Sequence, residues 1–256
     1  MVRFCFLLTL ITISSYAQSS FSPFPFLQNN SSIKHILIAE KSTHKLFVYQ
    51  NFPEIKLLKT LPMTTGLNSG DKLKEGDKKT PEGIYFFSQF LSRAKLKERI
   101  PKKLLHLYGK GAFTSDYPNF YDRFKKKTGS GIWLHSSDDP QRVYKKRDTR
   151  GCPIIPGDEL LKLTNIIEFN KTPIIIVKDL HFWSNEKKKL QVNEIYQSFK
   201  KMKQGQNKKL EDLNIITHNN YAVILEENKQ FFVKTYLRLN NKYQWKYLSQ
   251  KKHRTN

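Results

Sequence analysis

Cys152 and His135 are the pair in this sequence best suited to joint chemistry. A cysteine acyl transfer needs a thiolate, a base within hydrogen-bond reach, a group that orients the base, and donors for an oxyanion. The stretch from Gly131 to Pro156 offers all four. Ile132 to Leu134 read as a short strand that delivers His135. A polar loop follows, leading to Thr149, Arg150, Gly151 and Cys152. Gly151 allows a close backbone turn, so the Gly151 and Cys152 amides are the expected oxyanion donors. Arg150 places positive charge beside the thiol, which favours the thiolate and attracts a carboxylate. A histidine and a cysteine seventeen positions apart are also compatible with a structural histidine and an inert buried thiol.

The amino-terminal residues bear on that choice. Met1-Val2-Arg3 precede an apolar run, Phe4 to Ile13, and then Ser14-Ser15-Tyr16-Ala17. That order reads as a secretory signal over 1–17, cleaved after Ala17, because the apolar run is too short to span a bilayer. The expected location is outside the inner membrane, in the periplasm or the cell wall. The chain has two cysteines, and Cys5 leaves with the signal. A lone thiol in an oxidising compartment points to intermolecular pairing or reactivity. The formal net charge of +23 suits an anionic wall polymer or membrane surface, and export argues against nucleic acid. The histidines are scattered without ligand spacing, so neither a metal nor a cofactor is expected.

Residues 18–32 are rich in Ser, Asn, Pro and Phe without periodicity and read as a linker. Strands are expected at His35–Glu40, Lys45–Tyr49, Lys56–Thr65, Ile84–Ser88, Ile132–His135 and Thr172–Val177. A helix capped by Asp158 should run to about Glu168. Beyond Trp183 the composition turns lysine-rich. A helix over Leu190–Lys203 and strands at Tyr221–Glu226, Gln230–Leu239 and Tyr243–Leu248 make a small α+β module of 183–256.

The segment WLHSSDDPQRVYKKRDTRGC resembles the signature of the L,D-transpeptidase (YkuD) family, a histidine followed by a spacer and Ser/Thr-x-Gly-Cys. The resemblance extends over about Ile33 to Lys178 and takes in Thr65-Gly66, Thr80-Pro81-Glu82-Gly83 and the closing TPIIIV. GDKLKEGDKKTPEGIYF and YPNFYD are similar to the YafK-type branch, which includes cell-shape L,D-carboxypeptidases. The tail is similar to a shortened NTF2-like domain of the kind some members carry. The resemblance implies a mainly β catalytic domain over 33–182, a β-sandwich with short helices. It makes Cys152 the nucleophile, His135 the base and Ser136 the residue whose carbonyl orients the imidazole. Gly151 joins the catalytic set, and Arg150, Thr149 and Trp133 are the substrate-binding candidates. The implied substrate is the peptide stem of peptidoglycan, either cross-linked by transpeptidation or trimmed by carboxypeptidation. Cleavage of a wall-bound lipoprotein and wall binding without catalysis are the other readings. The sequence departs from the family pattern at Ser136, where many members have glycine. It departs again at Pro153-Ile154-Ile155, where a polar residue often follows the cysteine.

Overall fold

The computed structural model describes residues 21–23, 26–28, 30–203 and 208–254, without the side chains of 21–28 and 182–185. The expected signal peptide, with Cys5, lies outside the described residues.

Seven strands form the main sheet: β1 (His35–Glu40), β2 (Lys45–Gln50), β3 (Lys56–Pro62), β4 (Gly83–Ser92), β5 (Gly111–Ser115), β6 (Trp133–His135) and β7 (Pro173–Val177). Their order is β3-β2-β1-β7-β4-β5-β6. β1 and β2 make the expected hairpin, with His44 at φ 55° in its turn. β7 enters beside β1 in parallel and against β4 antiparallel. All five residues of β7 are buried, which explains its unbroken apolar sequence: a strand covered on both faces does not alternate.

The two faces of this sheet serve different layers. Leu37, Ala39, Tyr85, Phe87, Ile174 and Ile176 face one core, closed by Leu160, Leu163 and Ile167. Ile36, Ile38, Ile84, Phe86, Ile175 and Val177 face the other way, onto a second sheet. That sheet consists of β8 (Leu213–His218), β9 (Tyr221–Glu227), β10 (Phe231–Leu239) and β11 (Trp245–Arg254), with Phe26–Gln28 beyond β8. Ile216, Val223, Leu225, Phe232 and Tyr236 meet the main sheet. The reverse face, with Ile215, Ala222, Ile224 and Leu237, is covered by Val192, Ile195 and Phe199 of a helix over Asn185–Met202. The protein is thus mainly β with short helices, carrying an α+β module whose sheet shares an apolar layer with the main one.

Several expectations need correction. The linker of 18–32 is partly built into the fold. Phe21–Pro23 pairs with Phe182–Ser184, Phe26–Gln28 edges β8, and Asn30 exchanges hydrogen bonds with Asn214. Asp158 does not cap its helix, which spans only Gly157–Lys162 behind Pro156 and continues as a 3-10 turn. Its carboxylate pairs with Lys110 instead. The third strand stops at Pro62, and Thr65–Gly66 forms a separate short strand parallel to Arg147–Thr149. β8 was not anticipated, because Asn214, Thr217 and His218 break its apolar pattern although all six of its residues are buried. The YPNFYD segment, for which no element was expected, opens a short helix over Phe120–Phe124 with a capping box between Asn119 and Asp122.

Candidate active site

His135 closes β6, the edge strand of the main sheet, and its backbone pairs directly with the segment that follows the cysteine. Its amide donates to Pro153 O at 3.2 Å, and its carbonyl accepts the Ile155 N–H at 3.0 Å. Ile154 exchanges two further bonds with Thr64, each of 3.0 Å. The apolar run after the cysteine is therefore the rung that sets His135 and Cys152 side by side. Ile154 and Ile155 are fully buried, which is why that run is not polar.

The turn before Cys152 is shaped by three residues. Gly151 adopts φ 136°, and a Cβ there would lie 2.8 Å from Lys79 O, so only glycine fits. Thr149 Oγ1 accepts the Gly151 amide at 3.0 Å and donates to Cys152 O at 2.8 Å. Thr80 Oγ1 donates to Gly151 O at 2.8 Å and accepts the Gly66 amide at 2.9 Å. The Gly151 amide is thus committed to Thr149, which removes it from the expected pair of oxyanion donors. Among the described residues no acceptor takes the Cys152 amide, which keeps that role open.

His135 Nδ1 lies 2.7 Å from Ser136 O. That carbonyl can only accept, so Nδ1 carries the proton and Nε2 is the basic nitrogen. Ser136 is fully buried, and its Oγ accepts the Lys110 amide at 2.8 Å. The hydroxyl that replaces the family's glycine thereby fastens the base's neighbour to the turn at Gly109. The Tyr108 ring lies 4.7 Å from the imidazole, tilted by 35°. Burial pushes the His135 pKa down to about 4, with the Arg142 charge adding to the effect and backbone hydrogen bonds at Ser136 and Leu107 opposing it.

Cys152 is half-buried and unpaired. Its Sγ donates to Gly131 O at 3.3 Å and accepts the Trp133 amide at 3.4 Å. Burial pushes the thiol up to about 11, against the Trp133 amide and the Lys72 charge. With these shifts the imidazole and the thiol are both neutral at pH 7, and the thiol hydrogen is parked on a backbone carbonyl.

Both line a cavity of about 330 Å³ with Leu67, Tyr108, Thr149 and Arg150. Arg150 is exposed at its mouth. Arg142 Nε donates to Asp148 Oδ2 at 2.7 Å, tying down the flap between base and nucleophile. Trp133, expected among the substrate contacts, has its ring 5.6 Å from Tyr108 at a tilt of 55° and packs beside Leu91 and Leu96. Its amide donates to the thiol. Sequence reasoning overlooked Tyr108, which stands in a polar-aromatic stretch without a motif. It also gave Thr80 no role of its own beyond the resemblance. Among the described residues, no group of three or more His, Cys, Asp or Glu side chains is placed to hold a metal.

Residues 34–176 match the family model YkuD, the L,D-transpeptidase catalytic domain. No curated protein sequence matches the chain. Among solved structures, it is similar to Bd1075 of Bdellovibrio bacteriovorus, with 24% identity and a TM-score of 0.70 over 92% of this chain and 99% of that one. It is also similar to the helical cell shape determining protein Pgp2 of Campylobacter jejuni, with 18% identity and a TM-score of 0.57 over 90% and 93%. At these identities the likeness is one of fold, and it extends through the C-terminal module.

Proposed function

The chain belongs to the YkuD family of L,D-transpeptidase catalytic domains, and from that membership we propose an exported cysteine acyltransferase that acts on tetrapeptide stems of peptidoglycan. The observation that carries this reading is the shared rung between His135 and Ile154, which holds a ring oriented by Ser136 O beside the thiol in one cavity. Substrate entry displaces the thiol hydrogen from Gly131 O. Nε2 of His135 takes that proton as sulfur attacks the carbonyl carbon of the third stem residue. The Cys152 amide receives the oxyanion. As the intermediate collapses, the imidazolium returns the proton to the departing amine of terminal D-alanine, leaving a thioester on Cys152. Attack by an amine of a neighbouring stem gives a cross-link; attack by water gives a trimmed tripeptide. Arg150 at the cavity mouth suits a stem carboxylate.

Transpeptidation is the first reading and L,D-carboxypeptidation the second, the latter favoured by likeness over most of its length to a protein described as determining helical cell shape. A role in wall remodelling and cell shape, in the periplasm or cell wall, follows from either. The test is incubation of the protein lacking residues 1–17 with tetrapeptide muropeptides, singly and in pairs, beside Cys152→Ala, with products read by mass spectrometry. Dimers establish transpeptidation, and tripeptides with free D-alanine establish trimming. If no product depends on Cys152, the enzyme reading fails and a basic wall-binding protein remains.

A further inference from the structure

β5 pairs with β4 only from Phe87 onward, so the first residues of β4 lack a strand on that side. Side chains take its place. Asp116 receives the Phe86 amide at 2.9 Å and returns its own amide to Phe86 O at 3.1 Å. Asn119 Nδ2 donates to Ile84 O at 2.9 Å. The remaining group, the Ile84 amide, donates to the hydroxyl of Tyr221, which comes from β9 of the C-terminal module. Tyr221 is fully buried, and its ring stacks on Tyr121 at 4.1 Å and 13°. A Cβ on Gly83 would lie 2.9 Å from that hydroxyl. The module thus touches the backbone where the Thr80-Pro81-Glu82-Gly83 turn enters β4.

The other end of the turn is the Thr80 hydroxyl on Gly151 O. Between the two ends the turn has little freedom. Lys41 Nζ bonds Thr80 O at 3.0 Å and Glu82 Oε1 at 2.8 Å, and the Glu82 amide donates to Asp71 Oδ1 at 2.8 Å. A short segment pinned this closely moves as one piece. We propose that Tyr221 is a positioning residue for the cysteine loop, its hydroxyl fixing the turn that fixes the Gly151 carbonyl beside Cys152. The inference rests on reading Cys152 as the nucleophile, and it assigns the C-terminal module a direct part in placing that nucleophile.

The experiment compares full-length Tyr221→Phe with Tyr236→Phe, a buried tyrosine of the same interface whose ring packs on Phe120. Two readouts are taken: alkylation of Cys152 by iodoacetamide against pH, which needs no substrate, and kcat and KM on tetrapeptide stems. Tyr221→Phe should slow kcat about tenfold with KM within about twofold, since small misplacements of a reacting group act on the chemical step. Its alkylation profile should shift, while Tyr236→Phe keeps both wild-type profiles. Asn119→Ser, which retains a capping hydroxyl but frees Ile84 O, should repeat the kinetic signature; it also serves if Tyr221→Phe does not fold. Adding Tyr221→Phe to Thr80→Val should slow the reaction no further than Thr80→Val alone, because both act on one turn. Unchanged alkylation and kcat in Tyr221→Phe overturn the proposal, as does equal loss in Tyr236→Phe. If wild-type protein is alkylated but yields no stem product, the peptidoglycan reading fails and the alkylation comparison alone decides the positioning role.

Discussion

Ser136 lends its carbonyl to His135 Nδ1 and its hydroxyl to the Lys110 amide, so one residue orients the base and anchors the strand end that carries it. A glycine could supply the first service but not the second. The Cβ that an alanine at Gly109 would add lies 2.5 Å from that hydroxyl, so the two positions are matched.

Protonation of the pair governs reactivity in the free protein. With the thiol raised to about 11 and the imidazole lowered to about 4, Cys152 alkylation should be slow at pH 7 and climb about tenfold per pH unit toward 11. A rate already on a plateau between pH 5 and 8 would reveal a preformed thiolate-imidazolium pair and contradict this.

The buried histidines also set acid sensitivity. His135 and His218, each pushed down to about 4 chiefly by burial, stay neutral in the folded state while the unfolded chain takes up protons near 6.5. Their contribution is therefore intact above pH 6.5 and lost as pH falls toward 4, by up to about 3 kcal/mol each. Urea midpoints measured across that window should fall, and His218→Gln should flatten the slope. A midpoint that holds level from pH 7 to 4 counts against it.

Arg142 acts on both the flap and the base. Arg142→Gln removes the bond to Asp148 and the charge that depresses His135. The acid limb of kcat/KM should move to higher pH, and KM should rise several-fold. An unshifted limb would separate Arg142 from the imidazole.

Gly151→Ala should inactivate through the backbone. At φ 136° and 2.8 Å from Lys79 O, a methyl group costs about 1–3 kcal/mol of strain and rotates the Cys152 amide. Acylation should drop at least about a hundredfold while the circular dichroism spectrum is retained; near-normal acylation would mean that the turn tolerates other geometries.

Removal of 183–256 should unfold the remainder. Ile36, Ile38, Ile84, Phe86, Ile175 and Val177 would lose their cover, at about 1.5–3 kcal/mol each, against a typical total stability of about 5–15 kcal/mol. A soluble fragment with cooperative unfolding would refute this.

The meeting of His135 and Cys152 in one cavity was legible because Thr149-x-Gly151-Cys152 and the upstream histidine lie in one continuous segment with a family pattern. The central strands were legible because β1 and β7 are apolar runs bounded by polar turns. The role of the Gly151 amide was not, since a hydroxyl two residues away can claim an N–H without leaving a trace in composition. Nor was the dependence of the main sheet on the C-terminal one. The apolar outer face of β7 announces that something covers it but not what, and β8 hides its partner role behind Asn214 and His218. The packing of the Trp133 ring beside Tyr108, Leu91 and Leu96 was not legible either, since those partners lie far off in sequence and carry no motif.

The rung joining His135 to Ile154 bypasses everything between Ser136 and Asp148. That intervening loop can lengthen, shorten or change its charges without altering the spacing of the two reacting groups. The cover is a cassette clipped over a pair whose separation is set elsewhere.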